Sequence, residues 1–114
     1  MKHPISELEF KAAIAVSLKD IDPTDFDFVV GPGRSGAIAS VYASHMTGIK
    51  FLPWHNRVPD DKRRVLLIDT ASQTGKTLRK ARSRYISLNY EVDAIAVYDC
   101  PDTHYVFWFE SKQD

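Results

Sequence analysis

The chain has 114 residues, of which 44% are hydrophobic and 26% charged, and its 15 Lys and Arg are matched by 15 Asp and Glu. That is room for one domain around one core, residues 1–114, and too little for a second lobe. With no net charge there is no broad attraction for nucleic acid or a membrane, so neither is expected as a partner and any anion site has to be local. The opening MKHPISELEF has no apolar signal-like run, no stretch approaches a membrane span, and Cys100 is the single cysteine, so a cytoplasmic location is expected. No spacing ties Cys100 to a histidine, and it is read as a small residue closing a strand.

The first element starts at Ser6, where SELE is a capping box and Ile5 can staple onto Phe10, and a helix is expected to about Leu18. After the breaker DIDPTD, the run FDFVV reads as a strand ending at Gly31. AIASVYASHM follows as a helix stopped at Thr47-Gly48. IKFLPWH is the second strand, with Pro53 arguing for an irregular end or a sheet edge, and NRVPDDKRR is a loop. VLLID is the third strand. From Thr74 to about Leu88, apolar or aromatic residues at Leu78, Ala81, Tyr85 and Leu88 have the spacing of a helix with one buried stripe, and Asn89 can end it in the left-handed region. VDAIAVY and YVFWF complete five strands. The alternation predicts an α/β fold, a three-layer α/β/α domain with a mostly parallel sheet. A strand order of 2-1-3-4-5 would set the loops GPGRSG and DTASQTG across one crevice, each opening a helix N-terminus suited to phosphate.

GPGRSG fits the dinucleotide pattern G-x-G-x-x-G, but no acid ends the second strand, which closes on PWHNR, and the chain is short for a two-halved dinucleotide fold. TASQTGKT would be a P-loop if Thr70 were glycine. Neither motif stands alone, and the two together resemble the type I phosphoribosyltransferase (PRTase) family. VLLIDTASQTGKTL is similar to its motif for phosphoribosyl pyrophosphate (PRPP), and VVGPGRSGAIAS to its pyrophosphate loop, in the family's order and at about its separation. In motif the chain looks closest to the hypoxanthine and xanthine-guanine enzymes.

The resemblance implies a PRTase-like fold with a reduced hood, and transfer of the 5-phosphoribosyl group of PRPP to a nucleobase, a purine favoured, with release of pyrophosphate. It implies Ala71, Ser72, Gln73, Thr74, Gly75, Lys76 and Thr77 as the 5′-phosphate cradle, Lys76 either adding charge or facing solvent. Asp69 and Thr70 fall at the ribose, Asp69 also positioning Mg²⁺ directly or through water, and Gly33, Arg34, Ser35 and Gly36 would hold the pyrophosphate. Asp69 and Arg34 are the implied catalytic pair, acting electrostatically, and Trp108 a candidate for stacking on the base. The sequence departs from the family pattern in three places: Thr70 stands where the family has a second acid, NRVPDDKRR is shorter than the usual mobile loop, and the hood is reduced to the N-terminal helix. An alternative therefore stays open, a module that binds PRPP or a nucleoside monophosphate without turnover. The missing hood and small sheet also suggest a homodimer. Arg57, Lys62 or Arg63 could reach the pyrophosphate or face solvent, and Trp54 and His55 could touch ligand or cover the sheet edge. His3, His45 and His104 lack metal-ligand spacing, and Asp25 and Asp27 are expected to face solvent.

Overall fold

The sequence alternates apolar strands with amphipathic helices, and the computed structural model describes residues 2–54, 56, 61–71, 76–98 and 104–110. In chain order these form β1 (Lys2–Ile5), α1 (Glu7–Leu18), a 3₁₀ turn (Pro23–Asp25), β2 (Phe28–Val30) and α2 (Gly33–Thr47). Then follow β3 (Lys50–Phe51), β4 (Arg64–Ala71), α3 (Lys76–Ser87), β5 (Glu91–Tyr98), β6 (His104–Phe107) and a second 3₁₀ turn (Trp108–Glu110).

Local chemistry sets the helix ends. Ser6 caps α1, its Oγ accepting from Glu9 N–H at 3.1 Å, while Ile5 and Phe10 both lie buried in one cluster as the staple requires. α2 stops at Gly48, whose φ of 81° needs glycine. α3 ends in a Schellman motif, with Asn89 at φ 67° and N–H groups of Tyr90 and Asn89 donating to the carbonyls of Tyr85 and Ile86. Ala81 and Tyr85 form its buried stripe, half-buried Leu78 extends it, and Leu88, beyond the last helical turn, is exposed instead.

The main sheet has four parallel strands in the order β3-β2-β4-β5, which is the expected 2-1-3-4. The last strand departs from expectation. β6 runs parallel with the N-terminal strand β1, Ile5 opposite Phe107, in a two-stranded sheet of its own. β1 is too short and polar to announce itself in KHPI, and the partner of β6 was therefore not legible. α2 begins at Gly33, earlier than the apolar pattern indicates, because its first turn is built from GRSG, which carries no hydrophobic signal. β3 is only two exposed residues at the sheet edge, as Pro53 foretold.

Two clusters fill the space on either side of the sheet. Phe10, Ile14, Val29, Ala39, Ala43, Leu66 and Ile68 pack under α1 and α2; Val30, Leu52, Val65, Leu67, Ala81 and Tyr85 pack under α3. Alternation along β4 thus sends Leu66 and Ile68 towards α2, and Val65 and Leu67 towards α3. By the same period Thr70 falls on the α2 face and Asp69 on the α3 face.

Candidate functional site

β2 feeds α2 and then β3 in one direction, whereas β4 feeds α3 and then β5 in the other, so the winding reverses between β2 and β4. That is where ligands bind in sheets of this type, outside the carboxyl ends of the strands. Both unusual loops of the sequence start there.

On the β2 side the chain must turn tightly into α2, and glycine makes it possible. A Cβ on Gly31 would lie 1.9 Å from the Gly36 carbonyl oxygen and 2.9 Å from that of Ile68 in β4. A Cβ on Gly36 would lie 3.0 Å from the Gly31 carbonyl carbon. Gly31 and Gly36 are therefore in backbone contact, and the loop is closed on itself against β4. Gly33 adopts φ 67°, a conformation strained for other residues. Pro32 stands at the N-cap and contributes no side-chain acceptor, so the N-cap residue leaves the first-turn N–H groups of α2 uncapped at the crevice.

On the β4 side Asp69 is only 6% exposed, and its Oδ1 accepts the Thr70 N–H at 2.8 Å. Burial pushes its carboxyl above the ordinary carboxylate range, and the Thr70 amide only partly offsets that. Thr70 is 1% exposed, and its hydroxyl meets the Ser35 hydroxyl at 2.8 Å. This bond joins the end of β4 to the first turn of α2. Arg34, exposed on that turn, reaches the opposite way and donates from Nη2 to the Phe109 carbonyl at 3.3 Å. Both links are long-range contacts between short polar signals, and nothing in the spacing of the sequence announced them.

Of the residues expected in the site, Gly33, Arg34, Ser35, Gly36, Asp69 and Thr70 come together at the switch point. Ala71 ends β4 opposite Tyr98, and Lys76 and Thr77 open α3 as exposed residues. Ser72, Gln73, Thr74 and Gly75, the centre of the expected phosphate cradle, lie outside the described residues, as do His55, Arg57, Asp99 and Cys100. Lys62 and Arg63 are exposed before β4, at the end of the sheet away from the crevice, with an Arg63 Nη1 to Leu88 carbonyl contact at 3.5 Å. Trp54 packs edge-on against Tyr85 at 5.6 Å, under the edge of the sheet. Trp108 packs edge-on against Phe10 at 5.1 Å, Tyr42 at 6.2 Å and Phe109 at 4.9 Å, joining β6 to α1 and α2. Asp27, expected in solvent, is instead paired with Arg64: Oδ1 lies 3.2 Å from Nη2, and the Asp27 side chain is 14% exposed.

No protein-family model matches the chain, and no curated protein matches it in sequence. Solved structures do match in fold. A purine phosphoribosyltransferase from Pyrococcus horikoshii Ot3 superposes with a TM-score of 0.77 at 21% identity, covering 99% of this chain and 96% of that one. A xanthine-guanine-hypoxanthine phosphoribosyltransferase from Helicobacter pylori gives 0.81 at 12% identity, covering 96% and 93%. A hypothetical protein from Neisseria gonorrhoeae with bound ppGpp gives 0.76 at 13% identity, covering 97% and 91%. No helix among the described residues is long and apolar enough to cross a membrane. With its parallel sheet, its switch point between β2 and β4 and these matches over nearly the whole chain, the protein has the type I phosphoribosyltransferase fold.

Proposed function

We propose that the protein binds PRPP at the β2–β4 switch point and transfers its 5-phosphoribosyl group to a nucleobase, a purine by preference, releasing pyrophosphate. The observation that carries this reading is the meeting of the two loops. The Ser35–Thr70 bond holds the first turn of α2 against the end of β4, beside Asp69. The first turn of α2, Gly33 to Gly36, takes the pyrophosphate through backbone N–H groups, with Arg34 giving up its Phe109 contact to supply a forked positive charge. Residues Ala71 to Thr77 take the 5′-phosphate, and Asp69 faces the ribose. In the reaction the C1–oxygen bond breaks with its electron pair on pyrophosphate, a base nitrogen bonds to C1, and that nitrogen's proton passes to water. Arg34 and the α2 amides stabilise the charge on the leaving group, and a carboxylate at Asp69 stabilises the positive charge building on the sugar. Trp108 stacks on the base only if its present packing against Phe10 and Tyr42 opens.

Among the described residues no three His, Cys, Asp or Glu side chains gather where they could hold a metal themselves. Mg²⁺ is usually held by one or two carboxylates together with substrate phosphates and waters, so the residues fit an ion carried in by PRPP, with Asp69 its protein ligand, directly or through water. Bound there, it would offset charge on the departing pyrophosphate.

A second reading is a module that binds PRPP or a phosphate-rich nucleotide without turnover. Thr70 in the place of an acid favours it, as does the bound ppGpp of the Neisseria gonorrhoeae neighbour. Phosphorus NMR of PRPP with the protein, Mg²⁺ and a panel of bases separates the two. Base-dependent release of pyrophosphate is expected for the transferase, broadening without release identifies the binding module, and unchanged signals would defeat both. The largely exposed Leu8 and Val16 on α1 support a homodimer, which light scattering showing only monomer at working concentration would refute.

A further inference from the structure

Thr70 is the residue at which this chain departs most clearly from the motif it resembles, and its hydroxyl is enclosed, 1% exposed, with Ser35 Oγ at 2.8 Å. A buried hydroxyl needs an acceptor for its proton. If Ser35 donated to Thr70, the Thr70 proton would have no acceptor among the described residues, whereas the half-buried Ser35 can give its own proton to the crevice. The satisfied arrangement is therefore Thr70 donating to Ser35, which frees the Ser35 O–H for the crevice and polarises it. An aspartate at position 70 would reverse the chain: it would accept from Ser35, remove that donor from the crevice and set a negative charge beside the α2 amides.

We infer that Thr70 is a positioning residue for the pyrophosphate end of the site, orienting Ser35 as a hydroxyl donor to the ligand's phosphates. The inference rests on the site reading proposed above and deepens it.

Calorimetric titration with PRPP, pyrophosphate and ribose 5-phosphate, without Mg²⁺, tests it on folded wild type, T70V, T70S, T70D and S35A. T70V and S35A are each expected to weaken PRPP and pyrophosphate by about five- to tenfold while leaving ribose 5-phosphate nearly unchanged. Combining them should cost no more than either alone, T70S should restore most of the affinity, and T70D should bind pyrophosphate more weakly than T70V. A purely structural role would move all three ligands together, and that outcome overturns the inference. So does T70V, or S35A if T70V does not fold, binding pyrophosphate like wild type, or T70D binding it more tightly. Wild type that binds neither PRPP nor pyrophosphate overturns the site reading and this inference together.

Discussion

The two ends of β4 treat their charges in opposite ways. At its amino end Arg64 donates from N and Nε to Asp27 Oδ2, at 3.0 and 3.4 Å, and from Nη2 to Oδ1 at 3.2 Å, and these contacts hold the Asp27 carboxyl below its ordinary range. At its carboxyl end Asp69 is more deeply buried, accepts one amide from its own neighbour, and is pushed up by burial. The first arrangement stabilises the fold, whereas the second costs it something. Under the proposed function that cost is offset by the role given to Asp69 at the switch point.

The backbone draws the same contrast, and a methyl group added at each end would expose it most forcefully. G31A drives its Cβ into the backbone of Gly36 and Ile68, and a loss of about 3 kcal/mol or failure to fold is expected by urea denaturation. G48A, at the other end of α2, meets nothing within 4 Å and suffers only from its φ of 81°, so about 1–2 kcal/mol is expected. Equal losses would remove the claim that the crevice loop is closed by glycine contact.

R34A comes next in size and concerns binding. Its exposed contact to Phe109 contributes little to stability, so the melting temperature should scarcely move. PRPP affinity should fall roughly ten- to hundredfold, in keeping with a lost charge-assisted hydrogen bond, while a nucleoside monophosphate loses far less. Equal effects on both ligands would take Arg34 away from the pyrophosphate.

The sequence made one half of this contrast legible and hid the other. Apolar period and breakers disclosed the four main strands and three helices, because burial of Val29, Leu66, Ile68 and Tyr85 leaves a pattern that recurs along the chain. GPGRSG stood out because a turn as tight as the Gly31–Gly36 contact demands glycine, and the run from Asp69 to Thr77 because it resembles a phosphate loop, though residues 72–75 lie outside the described residues. The pairing of β1 with β6, the Ser35–Thr70 bond and the Asp27–Arg64 pair were not legible. Each joins residues at least 35 positions apart through one or a few polar contacts, and such contacts impose no period on the sequence between them.

Asp69 offers a test of the functional end by pH. Its folded value is raised, so between the ordinary carboxylate range and that raised value the native state binds more protons than the unfolded chain, and stability falls as pH increases through the window. Above it the cost is present in full. D69N should therefore raise the melting temperature near neutral pH, with the gain shrinking as pH falls through the window and vanishing below the ordinary carboxylate range, while PRPP turnover is lost. A destabilised D69N at pH 7 would mean that the carboxylate is supported by partners other than the Thr70 amide.

D27N should show the opposite sign with the smallest amplitude. Asp27's folded value is lowered, so its contribution is present in full above the ordinary carboxylate range and is lost as pH falls through the depressed value. The pair sits at the surface with Arg64 44% exposed, where solvent and salt screen it, so D27N should lower the melting temperature near neutral pH by no more than a few degrees, less in high salt, and leave PRPP affinity unchanged. The amide side chain can still accept the Arg64 backbone N–H, which limits the loss to the charge. Thermal melts of D27N and D69N across the same pH series would then diverge in sign at neutral pH and both converge on wild type in acid. Parallel curves would mean that the two ends of β4 answer to one electrostatic environment, and the division between a stabilising end and a functional end would fail with them.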